Sequence, residues 1–273
     1  MVPAIAGDPA GRRARCIGTV YAIAPGTGRM HLADATWTDL DEADVDVALL
    51  PVGSTEQHGP HAPLGTDYLT AAAIADSAAE AAKHEVVVAP AVPIGVAEEH
   101  RQFTGTMWVT PDTFRAYVRE AVESLLGHGW DRVVLVNGHG GNVPAIEEVA
   151  ARLTRDHDAL VAPFTWFEAV DVDLPMGHAG AVETSILLAS YPELVHEERF
   201  AAAADDGADR WGDWVGSVDL AQDSAAFTDN GAVGDPGEAS ADVGDTLEEQ
   251  AREALVSLLD AVLDRSTTTP AHK

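Results

Sequence analysis

Four short apolar runs constrain the fold most: residues 45–53, 86–93, 132–136 and 159–167, rich in Val and Leu and each separated from the next by a stretch of helical spacing. Runs that are apolar at consecutive rather than alternate positions belong to strands covered on both faces. Strand and helix alternating in this way predict a mainly parallel sheet with helices on both sides, hence an α/β domain. The intervening stretches agree. Residues 68–83 are alanine-rich, with Leu69, Ala72, Ile74 and Ala79 at helical intervals. Thr110 before Pro111 reads as an N-cap followed by a first-turn proline, and Phe114, Tyr117, Val118, Ala121, Val122 and Leu125 form one stripe. Ile146, Val149, Ala150 and Leu153 mark another helix, and 247–262 a closing amphipathic one. We expect one domain over residues 31–265, a loosely ordered extension over 1–30 and a frayed tail over 266–273.

The loops after the strands carry the chemistry. The first run empties into Glu56, His58, His61 and Asp67 within a dozen residues. In extended backbone, i and i+2 share a side, so Glu56 and His58 face one cavity while Gln57 points away. Asp67 adds a second carboxylate able to bridge two metals, and this loop reads as half of a divalent-metal site. His61 is a further imidazole without an assigned task. The second run leads to His100, read equally well as a cleft residue or a solvated one. The third runs into Asn137-Gly138-His139-Gly140-Gly141-Asn142, which matches neither nucleotide fingerprint: it lacks the GxGxxG spacing and has no Lys after the glycines. Close approach of backbone to a metal or substrate, with His139 pointing at it, is the better reading. The fourth leads to His178 and, five residues on, Glu183, where a ligand role competes with a favourable helix-dipole charge. Residues 205–245 read as an irregular excursion bordering the cleft, with Trp211 and Trp214 as packing anchors ahead of substrate walls.

Composition narrows the partners. Forty-five acidic residues face 16 basic ones, and the net charge of -29 argues against nucleic acid, because phosphate binding depends on clustered Lys and Arg. The acids are spread along the chain, as expected for a protein adapted to high salt. Cys16 is the only cysteine, so His and carboxylate are the available metal ligands. With no membrane-spanning run or secretory signal, the expected setting is cytoplasmic. Gly53-Ser54 lacks the G-x-S-x-G elbow of a serine hydrolase.

The motifs PVGSTEQHGPHAPLGTD, VNGHGGN, HAGAVETS and NGAVGDPGEAS resemble, in that order, those of the creatininase family of metal-dependent amidohydrolases. The resemblance implies a three-layer α/β/α fold, a homo-oligomer, and two divalent ions per chain (Zn, Fe or Mn) that hydrolyse a C–N amide bond. Carried over by position, Glu56, His58, Asp67, His139 and Glu183 bind the metals, Asp67 bridging, and His178 assists proton transfer with Glu183 beside it. His61, His100 and the backbone of Gly140 and Gly141 fall to the substrate side. Creatinine-hydrolysing members resemble NGHYEN, with a ligand glutamate where this chain has Gly141, so creatinine is disfavoured and Glu183 is the natural replacement. EEHRQFTGT and the GSTEQHGPH form look closest to the mycofactocin maturation peptidase branch, which trims a modified precursor peptide; another branch deformylates a formamidopyrimidine. The alternative of another class is a metal-stabilised scaffold without turnover.

Overall fold

The computed structural model describes residues 29–268. Five parallel strands make one sheet: β1 (Arg29–His31), β2 (Val47–Val52), β3 (Val86–Val88), β4 (Arg132–Asn137) and β5 (Leu160–Thr165), in the spatial order β1-β3-β2-β4-β5. All six residues of β2 are buried, which explains the unbroken apolar run. Alternate side chains serve opposite faces. Val47 and Leu49 of β2 with Val134 and Val136 of β4 pack against helices α2 (Thr66–Ala81), α5 (Ala181–Ser190) and α7 (Ala241–Leu263). Ala48, Leu50, Val52, Val133 and Leu135 pack against α3 (Pro111–Leu126) and α4 (Val143–Asp156). Each fully buried Val or Leu contributes about 1.5–3 kcal/mol, so the two faces lock the expected three layers.

Of the expected extension, residues 1–28 lie outside the described residues. Arg29 and Met30 do not belong to a loose segment: they begin β1, which pairs with β3 through its backbone. Of the expected tail, 269–273 lie outside the described residues. Before β2 comes the short α1 (Trp37–Asp41), held by a Thr36–Asp39 capping box. The short α6 (Phe200–Asp205) leads into the excursion, which contains a hairpin of β6 (Trp214–Val215) and β7 (Val218–Asp219) followed by 3-10 turns at Ser224–Ala226 and Pro236–Glu238, and which ends where α7 begins at Ala241.

One topological fact positions the site. The chain leaves β2 for β3 on one side, then crosses back to place β4 on the other side of β2. Loops after β2 and β4 therefore diverge and open a crevice at their carboxyl ends, where α/β sheets bind ligands.

Candidate metal centre

Two glycines let the crevice close. A Cβ on Gly53 would collide with the backbone of Asp67 and Tyr68, and one on Gly138 with the Asp67 carbonyl oxygen. Because neither residue carries a Cβ, the ends of β2 and β4 rest directly on the first turn of α2. Asp67 sits in that turn and Glu183 in the first turn of α5, so each carboxylate meets the positive end of a helix.

The five expected ligands converge and are buried. Asp67 divides its oxygens: Oδ1 is 3.1 Å from His58 Nε2 and Oδ2 is 3.1 Å from His139 Nδ1. Glu56 Oε2 stands 3.2 Å from His139 Nδ1, and Glu183 Oε2 stands 3.9 Å from His58 Nε2. The outer imidazole nitrogens are committed elsewhere: His58 Nδ1–H donates to the Glu56 carbonyl at 3.2 Å, and His139 Nε2–H to the Val96 carbonyl at 2.7 Å. Each ring thus aims its other nitrogen at the carboxylates, as a metal-binding histidine does. Glu56 Oε2, His58 Nε2 and Asp67 Oδ2 are buried without a hydrogen-bond partner, an arrangement that is costly unless a cation accepts their lone pairs. Glu56, His58 and Asp67 form one group able to hold an ion, and His58, His178 and Glu183 another.

The electrostatics agree. Burial alone would lower His58, but Asp67, Glu183 and Glu56 push it up to about 10. His139 also lies well above its ordinary value, Glu56 and Asp67 overcoming its burial. Burial would raise Asp67, yet His58 and His139 hold it at about 2; Glu56 is likewise held below the usual range, chiefly by His139. Glu183 rises to about 7, mainly through burial. The carboxylates therefore demand positive charge between them, which protonated imidazoles or divalent ions can provide.

His178 lines the same cavity, its ring stacked on His100 at 4.6 Å and tilted against His58 at 4.4 Å between ring centroids. Burial, then the neighbouring His58 and His100, hold it well below its ordinary value, so it stays neutral. Ala179 beside it adopts a left-handed φ of 52°, a strained conformation for a residue with a Cβ, and its N–H donates to Glu183 Oε2 at 2.6 Å. Gly140 and Gly141 line the cavity as expected, and so does His100, which burial depresses to about 4.

His61 does not reach the cavity. Its Nε2 pairs with Thr184 Oγ1 at 2.9 Å and its ring meets the edge of Phe200, so it braces the helix that carries Glu183 instead of touching substrate. Trp211, expected as a packing anchor, lines the cavity edge-on to His100 and His178, whereas Trp214 is exposed. Glu99, Phe167 and Met176 also line it and were not expected. Only the Glu99-His100 pairing in the sequence hinted at the first; nothing marked the other two.

A family model for creatininase, creatinine amidohydrolase, matches residues 33–259. The chain belongs to the creatininase family. This creatininase-family chain is 41% identical over 157 residues to the mycofactocin precursor peptide peptidase of Mycolicibacterium smegmatis, covering 55% of this chain; it spans 60% of that relative's length. It is 31% identical over 197 residues to the creatinine amidohydrolase of Pseudomonas putida, covering 62% of this chain and 75% of the relative. A crystal structure of creatinine amidohydrolase superposes with a TM-score of 0.70 at 25% identity, over 86% of this chain and 98% of the other. The expected creatininase-like α/β fold and family are thereby borne out.

Proposed function

We propose that this chain is a dinuclear, metal-dependent hydrolase of an amide or peptide C–N bond, acting on a short modified peptide of the mycofactocin precursor kind. The observation that carries the reading is Asp67, whose two oxygens face His58 and His139 at ion-pair distance while its Oδ2, His58 Nε2 and Glu56 Oε2 are buried without a hydrogen bond. Glu56 and His139 would serve one ion, His58 and Glu183 the other, with Asp67 common to both. An all-nitrogen-and-oxygen donor set suits zinc, iron or manganese. Bound divalent ions supply a Lewis acid for the scissile carbonyl and water activation at neutral pH.

The protein's own groups do the rest. His178 gives its Nε2–H to the Gln57 carbonyl at 2.8 Å, which leaves Nδ1 as a lone pair facing the cavity. A neutral buried imidazole in that position takes up a proton and returns it to the departing nitrogen. The N–H groups at Gly140 and Gly141 border the space where negative charge develops on the carbonyl oxygen. Phe167, Met176 and Trp211 provide an apolar wall that excludes water and accommodates a peptide side chain.

The likeness to creatinine amidohydrolase favours a second reading, a small cyclic amide as substrate, which the glycine at 141 counts against. Incubating metal-loaded protein in parallel with a modified precursor peptide, creatinine and a formamidopyrimidine separates these. Cleavage of the peptide alone supports the first reading; cleavage of creatinine or the formamidopyrimidine alone overturns it. Stoichiometric metal with no hydrolysis of any amide returns the scaffold alternative. No helix among the described residues is long and apolar enough to cross a membrane. Self-association into a homo-oligomer remains part of the proposal, tested by sedimentation.

A further inference from the structure

Gln57 lies between two of the proposed ligands and was expected to point away from the site. Its side chain does leave the carboxylate cluster, but it is buried and every polar atom is used. Oε1 accepts from Gly59 N–H at 2.9 Å, which fixes the orientation of the amide. Nε2 must then be the donor, and it reaches the Gly231 carbonyl at 3.0 Å and His100 Nδ1 at 2.8 Å. The main-chain carbonyl of Gln57 lies 2.8 Å from His178 Nε2. A carbonyl can only accept, so His178 carries its proton on Nε2. The amide nitrogen is also 2.9 Å from that Nε2, but its two protons already satisfy Gly231 and His100. The opposite assignment would leave the Gln57 carbonyl facing a lone pair.

The consequence for His100 is specific. Ser224 Oγ also lies 3.0 Å from Nδ1, but its hydroxyl can turn to donate there, whereas the Gln57 amide nitrogen, its orientation fixed by Gly59, can only donate; Nδ1 therefore accepts, and a neutral His100 carries its proton on Nε2, which is 3.5 Å from Glu56 Oε1. Glu56, His100 and His178 are spaced closely enough to suggest a separate cation site. A protonated Nε2 cannot coordinate a metal, so that grouping is closed to cations and His100 supports Glu56 through its N–H.

We infer that Gln57 is a positioning residue that sets the ring tautomers of both cavity imidazoles outside the ligand set: His100 through its amide, as a donor to Glu56, and His178 through its carbonyl, as an acceptor facing substrate. The same amide latches the covering excursion. Gly231 has a φ of 88°, and a Cβ there would overlap the Gln57 carboxamide, so the two surfaces fit only with glycine opposite glutamine. The tautomer assignment stands on hydrogen-bond geometry alone; only its kinetic consequence rests on the hydrolase reading.

The test is long-range proton–nitrogen correlation NMR on zinc-loaded protein labelled with nitrogen-15 histidine, with His100→Gln and His178→Gln used only to assign signals. Both rings should be neutral with the proton on Nε2; a proton on Nδ1 of either ring overturns the inference. Gln57→Glu replaces the donor by an acceptor, so His100 should switch to Nδ1–H while His178, held by the main chain, stays as it was. An unchanged His100 in that variant also overturns it. Should Gln57→Glu not fold, Gln57→Leu removes the donor and should leave His100 a mixture of tautomers, with an undisturbed Nε2–H signal as the refuting result. Against whichever amide the wild type cleaves, the Glu variant should lose roughly 10–100-fold in kcat with KM within about twofold, the size expected for a supporting partner of a ligand. Expected tautomers with no amide cleaved would sink the proposed function and leave this assignment standing.

Discussion

Replacing Asp67 with Asn keeps the shape of the proposed bridging residue and removes its charge. In the metal-free protein, Asp67 makes two contacts of 3.1 Å with His58 and His139, both buried. Breaking a buried ion pair by removing one partner costs about 3–5 kcal/mol. For a domain this size each kcal/mol moves Tm by about 2–4 °C, so Asp67→Asn should melt roughly 6–20 °C lower without metal. Added zinc or manganese should stabilise the wild type by mass action but do so weakly in the variant, because the amide offers one neutral oxygen where the two proposed ions would share two charged ones. Metal analysis should fall from about two ions per chain to one or fewer, and hydrolysis by at least about 1000-fold, equivalent to roughly 4 kcal/mol in the barrier. A variant that keeps the wild-type metal content, the wild-type response to metal and measurable turnover would refute the bridging role.

Other outcomes follow from the same geometry. The metal-free fold holds His58 at about 10 against about 6.5 when unfolded, so its contribution is complete below pH 6.5 and disappears as pH rises toward 10; metal-free protein should lose Tm across that window, and metal binding at pH 7 should release protons, measured by calorimetry in buffers of different ionisation enthalpy. A Tm that climbs over that window would contradict the assignment. Gly138→Ala drives a methyl group into the Asp67 carbonyl and should lower both Tm and metal affinity, whereas Gly140→Ala, with open space around it, should leave Tm within about 1 °C. The net charge of -29 predicts a melting temperature that rises from dilute buffer to molar salt; a flat or falling response would remove the salt-adaptation reading.

The buried strands and the ligand loops were legible because their physics is local. Six consecutive buried residues in β2 can hardly read as anything else, and Thr110-Pro111 caps α3 as expected, with Thr110 Oγ1 accepting from Thr113 N–H. What was hidden depends on contacts remote in sequence. β1 is three residues whose only strand signal is backbone pairing to β3. The start of α5 was marked only by Glu183 as a first-turn charge, because Ala181 to Leu187 are all buried and show no amphipathic period. His61 carries the same side chain as a ligand, and only the position of Thr184 reveals that it braces a helix. Trp211 could face solvent, core or cavity until the path of residues 205–245 is known. Gln57 was assigned to the correct side of its strand extension, yet its partners His100 and Gly231 lie 43 and 174 residues away.

Gly53 and Gly138 bring main chain against main chain beneath Asp67, while the apolar wall of the cavity is built from side chains of two separate stretches, Phe167 and Met176 after β5 and Trp211 in the excursion. The reactive centre and the recognition surface therefore answer to different kinds of mutation. Exchanging Trp211, Phe167 or Met176 can retune what enters without moving the carboxylates, whereas a single methyl group at either glycine disturbs the chemistry and leaves the walls as they were.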